Sequence, residues 1–136
     1  MKFSTKGRYA LRALVDLAEC SESQGNVKKN VTIKEIAERQ DISIKYLEAL
    51  FHTLKSAGII KSRRGAQGGY ILARPPAKIS AFEVEKAIEG PISVVECCTS
   101  KNFCGRSKKC KTKNLWNEIN ESIISILKKT TVADLL

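Results

Sequence analysis

Residues 32–72, TIKEIAERQDISIKYLEALFHTLKSAGIIKSRRGAQGGYIL, place two helix starts, one tight turn and a glycine-rich hairpin in a single run. Thr32 and Glu35 have the spacing of a capping box, in which the threonine oxygen accepts from the Glu35 amide and the glutamate carboxylate reaches back to the Thr32 N–H. This predicts a short helix ending near Arg39. Gln40-Asp41-Ile42-Ser43 interrupts it, and Ser43 is a good N-cap for a second helix with Ile44, Leu47, Leu50, Phe51 and Leu54 on one face. Lys45, Glu48, Ala49, His52 and Lys55 fall on the other. Two short helices meeting at a tight turn, the second with a compact polar outer face, make a helix-turn-helix, whose second helix presents its N-terminal half to base edges in a major groove. Up to this point an ordinary helical hairpin with a solvated face has the same pattern.

The next residues separate the two. Gly58 is placed as the residue just past the helix, and Ile59–Arg63 and Gly69–Leu72 read as strands around the polar turn Arg64-Gly65-Ala66-Gln67-Gly68. A hairpin following a recognition-type helix, with arginines at its base and glycines that let its tip approach another surface, makes a wing suited to a minor groove. The candidate DNA contacts are therefore Ser43, Lys45, Tyr46, Glu48, Ala49, His52 and Lys55 on the helix and Arg63, Arg64 and Gln67 on the wing. Glu48, an acid on the reading face, either accepts from a cytosine amine or repels unsuitable sites.

Upstream, Ser4 caps an amphipathic helix predicted over residues 5–20, and the polar stretch Ser21–Asn30 reads as an exposed connection. Downstream, Arg74-Pro75-Pro76 breaks regular structure. Ser80 and Glu83 repeat the capping box and open a helix to Glu89, with Phe82, Val84, Ala87 and Ile88 as its mainly buried positions. A longer helix is predicted over 114–129. Its Leu115, Trp116, Ile119, Ile123, Ile126 and Leu127 form a stripe too broad for a lone surface helix, which fits either a homodimer that sets two reading heads on a pseudo-palindromic site or core packing within the monomer. Thr131–Asp134 repeats the Thr-x-x-acid pattern for a short final turn. The expected fold is mainly α with a small β-hairpin: a winged helix-turn-helix domain over 1–76, and a sensor loop with a dimerisation helix over 77–136.

Charge agrees with this reading. Against 14 acidic residues the chain has 24 lysines and arginines, a net charge of +10 that favours a polyanionic partner, with double-stranded DNA first. Arg8, Arg12 and Asp16 interrupt the N-terminal apolar run, and no stretch reaches the ~20 apolar residues of a membrane helix, so the chain is expected to be cytoplasmic with reduced cysteines and no membrane partner. No Cys–His pairing, paired-carboxylate motif or phosphate-binding glycine loop marks an enzyme. What the DNA-binding reading does not absorb is CCTSKNFCGRSKKCKTK, residues 97–113. Cys98, Cys104 and Cys110 stand at equal C-x5-C intervals there among Lys101, Arg106, Lys108, Lys109, Lys111 and Lys113. Thiolates are soft donors for zinc or an iron–sulfur cluster, and nearby cations lower thiol pKa values and offset the charge of a thiolate-bound site. The spacing lacks the short C-x2-C chelate usual in structural zinc sites.

Lys6-Gly7-Arg8-Tyr9-Ala10, the run Ile42–Glu48, the run Arg64–Tyr70, and Cys98, Cys104 and Cys110 followed by Leu115-Trp116 together resemble the IscR-like, cluster-binding regulators of the Rrf-two superfamily. The resemblance covers essentially the whole chain. It implies a dimeric winged-helix transcription factor, in the main a repressor, responding to a [2Fe–2S] cluster and controlling cluster biogenesis or related iron and cysteine metabolism. Cys98, Cys104 and Cys110 would be its thiolate ligands and Arg64 the minor-groove arginine. Two departures concern the fourth ligand. Lys113 stands where IscR-like proteins have a histidine, and a protonated amine has no lone pair to donate. Arg8 stands where the nitric-oxide-sensing branch has an aspartate. Cys97, the partner subunit's Asp16, the partner subunit's Cys20, and a solvent or small-thiol ligand are the remaining candidates. The alternative within the superfamily is a cluster-free repressor of cysteine metabolism acting through a protein or metabolite partner, or a thiol or nitric-oxide stress sensor.

Overall fold

Helix α1 (Thr5–Glu22) begins where the Ser4 hydroxyl accepts from the Gly7 amide at 3.1 Å. It runs two residues past the expected end, where the Ser21 hydroxyl donates to the Leu17 carbonyl at 2.8 Å. The computed structural model describes residues 3–22, 29–66, 68–100 and 102–136. Helix α2 (Ile33–Gln40) starts at the expected capping box, Thr32 accepting from Glu35 N and Glu35 accepting from Thr32 N at 2.7 Å. Asp41 then takes a left-handed conformation, φ 53°, and Ser43 caps α3 (Ile44–Ser56) by accepting from the Tyr46 amide at 3.2 Å. Gly58, at φ 74°, turns the chain out of α3 as its position predicts.

Strands β1 (Ile60–Arg63) and β2 (Gly69–Leu72) pair antiparallel, Ile60 opposite Leu72 and Arg63 opposite Gly69. A third segment joins them: Val31 and Tyr70 exchange both backbone hydrogen bonds, at 3.0 and 2.7 Å. Residue 69 has to be glycine for this, because a side chain there would run into the Val31 carbonyl. Helix α4 (Ala81–Glu89) opens on the second capping box, Ser80 with Glu83, and α5 (Lys113–Lys129) follows the loop that holds the cysteines.

One core joins these elements. Leu14 and Leu17 of α1, Leu47, Phe51 and Leu54 of α3, and Val84 of α4 are buried together. Val132 belongs to the same cluster, because its amide donates to the Ile79 carbonyl and the Ala81 amide donates to Thr130, drawing the segment after α5 back onto α4. No helix among the described residues is long and apolar enough to cross a membrane.

The burial pattern of α4 differs from expectation at one position. Val84 is buried and Phe82, Ala87 and Ile88 are half-buried, but Glu85 is only 4% exposed. Its carboxylate packs against Gly7 of α1, and its Oε2 has no hydrogen-bond partner among the described residues. Desolvation, and secondarily the neighbouring Glu89, push the Glu85 carboxyl above its ordinary range. A carboxyl that protonates more readily folded than unfolded contributes stability at low pH that is lost as pH rises through its folded pKa. Glu85→Met should therefore raise stability at pH 8 by about 1–3 kcal/mol, with the gain shrinking as pH falls. Thermal unfolding at fixed protein concentration measures it, and an unchanged Tm at pH 8 would refute it.

Candidate functional site

The turn between α2 and α3 presents a polar face. Ser43, Lys45, Glu48, Ala49, His52 and Lys55 are all exposed, while Leu47, Leu50, Phe51 and Leu54 are buried, so the 3.6-residue pattern separates the two faces as predicted. Ile44 is the exception. Expected on the inner face, it is 46% exposed at the first position of α3. An apolar side chain at that end of a reading helix is suited to contact a thymine methyl. Tyr46 is half-buried, its ring meeting Tyr9 of α1 edge-on at 5.8 Å.

The hairpin packs against α3 through Tyr70 and Phe51. Arg63 and Arg64 are exposed, and among the described residues neither has an acidic partner. The hairpin's base is fixed from inside: Tyr70 packs edge-on against Phe51 of α3 at 5.0 Å, and the Ala73 amide donates to the Ile59 carbonyl. Gln67 lies outside the described residues, as does Lys101 of the cysteine loop.

The loop between α4 and α5 is tied down mainly at its two ends. The Val94 amide donates to Asn120 Oδ1 at 3.0 Å and the Cys98 thiol to Asn117 Oδ1 at 3.5 Å, so two asparagines on one face of α5 hold the loop's entry. At its exit Cys110 lies 3.4 Å from the Thr112 hydroxyl, and hydrogen bonding by Thr112 holds its pKa below the usual thiol value. Lys113, the residue in the resemblance's histidine position, donates to Ser107 at 3.0 Å. Cys104 and Cys110 are exposed; Cys97 and Cys98 are half-buried, and desolvation together with Cys98 pushes the Cys97 thiol up. All four are free thiols. Among the described residues no three metal-binding side chains are gathered. The donor set therefore fits a thiophilic centre in chemistry, and holding one requires the loop to draw its thiols together.

Helix α5 buries none of its residues in this chain. Leu115 and Ile126 are 51% and 55% exposed, and Trp116, Ile119, Ile123 and Leu127 are half-buried.

A helix-turn-helix with an exposed cationic reading helix and an arginine-bearing hairpin beside it defines a winged-helix, DNA-binding regulator of transcription. Residues 3–136 match the family model described as Rrf2, iron-dependent transcriptional regulator, and the chain belongs to that family. It is 38% identical over 138 residues to the HTH-type transcriptional regulator IscR of Cereibacter sphaeroides, covering all of this chain and 87% of that one. Two solved structures share the fold: CymR, the global cysteine regulator of B. subtilis, at TM-score 0.80 and 37% identity over 99% of this chain and 95% of that one, and T. potens IscR at 0.78 and 38% over 99% and 85%. The chain is a regulator and not an enzyme.

Proposed function

We propose that this chain is a cluster-responsive repressor that binds a pseudo-palindromic operator as a homodimer, with residues 1–76 as reading head and 77–136 as sensor and dimerisation region. The observation that carries this reading is the position of Cys98, Cys104 and Cys110, which lie on a loop fastened to α5 through Asn117 and Asn120, the helix whose apolar stripe this chain covers only in part. Cys98, Cys104 and Cys110 would hold a [2Fe–2S] cluster, which supplies a redox-sensitive centre with a charge of about −1 on three thiolates. Gathering the three thiols pulls on the loop entry at Asn117 and Asn120 and so changes how α5 meets a second copy. Arg106, Lys108, Lys109 and Lys111 offset the negative charge. With α5 paired, two α3 helices face one duplex, and their spacing becomes the regulated quantity.

Two measurements test this. Anaerobic purification with visible absorption and iron and sulfide counts should yield two irons and two sulfides per chain, and the loaded protein should differ from the apoprotein in affinity for a duplex it selects from a randomised pool. Arg64→Ala should weaken that duplex about tenfold or more with iron content unchanged, and unaltered affinity would count against the wing arginine.

A second reading is supported by Lys113, whose amine is committed to Ser107, and by the likeness to CymR. It is a cluster-free repressor of cysteine metabolism governed by a protein or small-thiol effector. A colourless, metal-free anaerobic preparation would favour it.

A further inference from the structure

Three side chains on one stripe of α1, Tyr9, Arg12 and Asp16, reach both sides of the turn that joins α2 to α3. Arg12 Nη2 donates to the Gln40 main-chain carbonyl at 2.6 Å, and its Nε and Nη2 lie 3.4 and 3.3 Å from Gln40 Oε1. Gln40 is the last residue of α2, where carbonyls have lost their intrahelical donors and a cation is favoured by the helix dipole. Asp41, immediately after it, is the left-handed residue that sets the turn. The Arg12 guanidinium also lies 5.2 Å over the Tyr9 ring, and Tyr9 meets Tyr46 edge-on at 5.8 Å. Tyr46 stands in the first turn of α3, its amide donating to the Ser43 cap. Gln40 Nε2, finally, donates to Asp16 at 2.8 Å. Arg12 thus grips the residue before the turn and, through Tyr9, the first turn of the helix after it.

Tyr9 and Tyr46 are half-buried and pack against the core, but Arg12 is not needed to close it. Arg12 is exposed, and the residues of α1 that fill the core, Ala10, Ala13, Leu14 and Leu17, lie on its other side. What Arg12 and Tyr9 fix is the angle at which α3 leaves the turn. A charge-assisted bond to a main-chain carbonyl and an aromatic edge contact are directional, so both resist rotation of α3 in a way that apolar packing does not.

We infer that Arg12 and Tyr9 are positioning residues for the recognition helix, acting on α3 through the Gln40 carbonyl and the Tyr46 ring without contacting DNA. The inference rests on the reading of α3 as the helix that reads the operator. The test uses the full chain, duplexes it selects from a randomised pool, and an unselected duplex of equal length, over a series of salt concentrations. Arg12→Lys keeps the charge but loses the guanidinium fork and the cover over Tyr9. It should bind the selected duplex about tenfold more weakly, with the unselected duplex, the salt dependence and Tm unchanged. Tyr9→Leu should lower selected binding similarly, and Tyr9→Phe, which keeps the ring edge, should stay within about twofold of wild type.

A purely structural role would lower Tm and affect both duplexes alike. A phosphate contact would weaken both and reduce the salt slope by about one. Either result overturns the inference, as does unchanged affinity of Arg12→Lys for the selected duplex. If wild-type protein enriches no duplex, the reading of α3 fails first and takes the inference with it, an outcome distinct from any change seen only in the variants.

Discussion

Replacing Cys104 with alanine is expected to remove the visible absorption of anaerobically purified protein and to bring iron and acid-labile sulfide to background together. Cys104 is the middle thiol of the two C-x5-C intervals and is exposed, so its loss removes a donor without disturbing the core. Cys98 and Cys110 are then left as the two remaining thiols of the pattern, one beside Asn117 and the other beside Thr112. Two thiolates are too few to hold two irons. Cys20→Ala tests whether the partner subunit's Cys20 is the fourth ligand. Cys20 lies in α1 next to Asp16, burial raises its pKa, and a thiol held protonated is a poor donor. That variant should keep its full colour. Cys104→Ala protein with undiminished absorption would sink the assignment of the loop, and colourless wild-type protein containing one zinc per chain would replace it with a zinc-stabilised regulator.

What could be read from sequence divides according to how far apart the interacting residues stand. The capping boxes at Thr32 and Ser80, the Ser43 cap and the Gly58 turn each involve partners within about four residues, and the structure has each of them. The hairpin was legible for the same reason, since its register follows from its turn. The Val31–Tyr70 pairing was not, because it joins residues across the whole helix-turn-helix, and neither was the return of Val132 into the core. Periodicity failed at the first turn of α3, where Ile44 has no neighbour to cover it, and at Glu85, where a carboxylate occupies a position the helix turns inward. In the candidate site, spacing identified the thiols and the arginines. It could not reveal that Lys113 is engaged by Ser107, or that Tyr46 turns its ring to α1, since both depend on side-chain direction. The role of α1 was missed entirely. Arg12 and Asp16 read as interruptions of an apolar run, and their partners stand 28 and 23 residues away.

That distance is the basis of the second large effect expected. Arg39→Ala should cost more stability than Asp16→Ala, although arginine is the more exposed partner. Asp16 is 3% exposed and accepts from Arg39 Nε at 3.1 Å, from Arg39 Nη2 at 2.7 Å and from Gln40 Nε2 at 2.8 Å. The same bonds raise the pKa of Arg39. Removing Arg39 strands a buried carboxylate with Gln40 as its remaining strong donor, and breaking a buried pair in this way costs about 3–5 kcal/mol. Removing Asp16 instead frees an arginine whose side chain is already 40% exposed and can turn to water, which limits the cost to about 2 kcal/mol. Urea unfolding of both variants at one protein concentration decides the order, and a costlier Asp16→Ala would show that the loss lies in Gln40 and the turn, not in the stranded charge. Asp16→Leu combined with Arg39→Met should recover most of the stability, since a buried pair exchanged for apolar groups is close to neutral. It should recover operator affinity only in part, because Arg12 and Tyr9 still hold the turn but the Gln40–Asp16 bond is gone. Stability and positioning separate at this point: apolar contacts can replace the energy of the Asp16 pair, but only directional bonds restrain the turn from which the recognition helix departs.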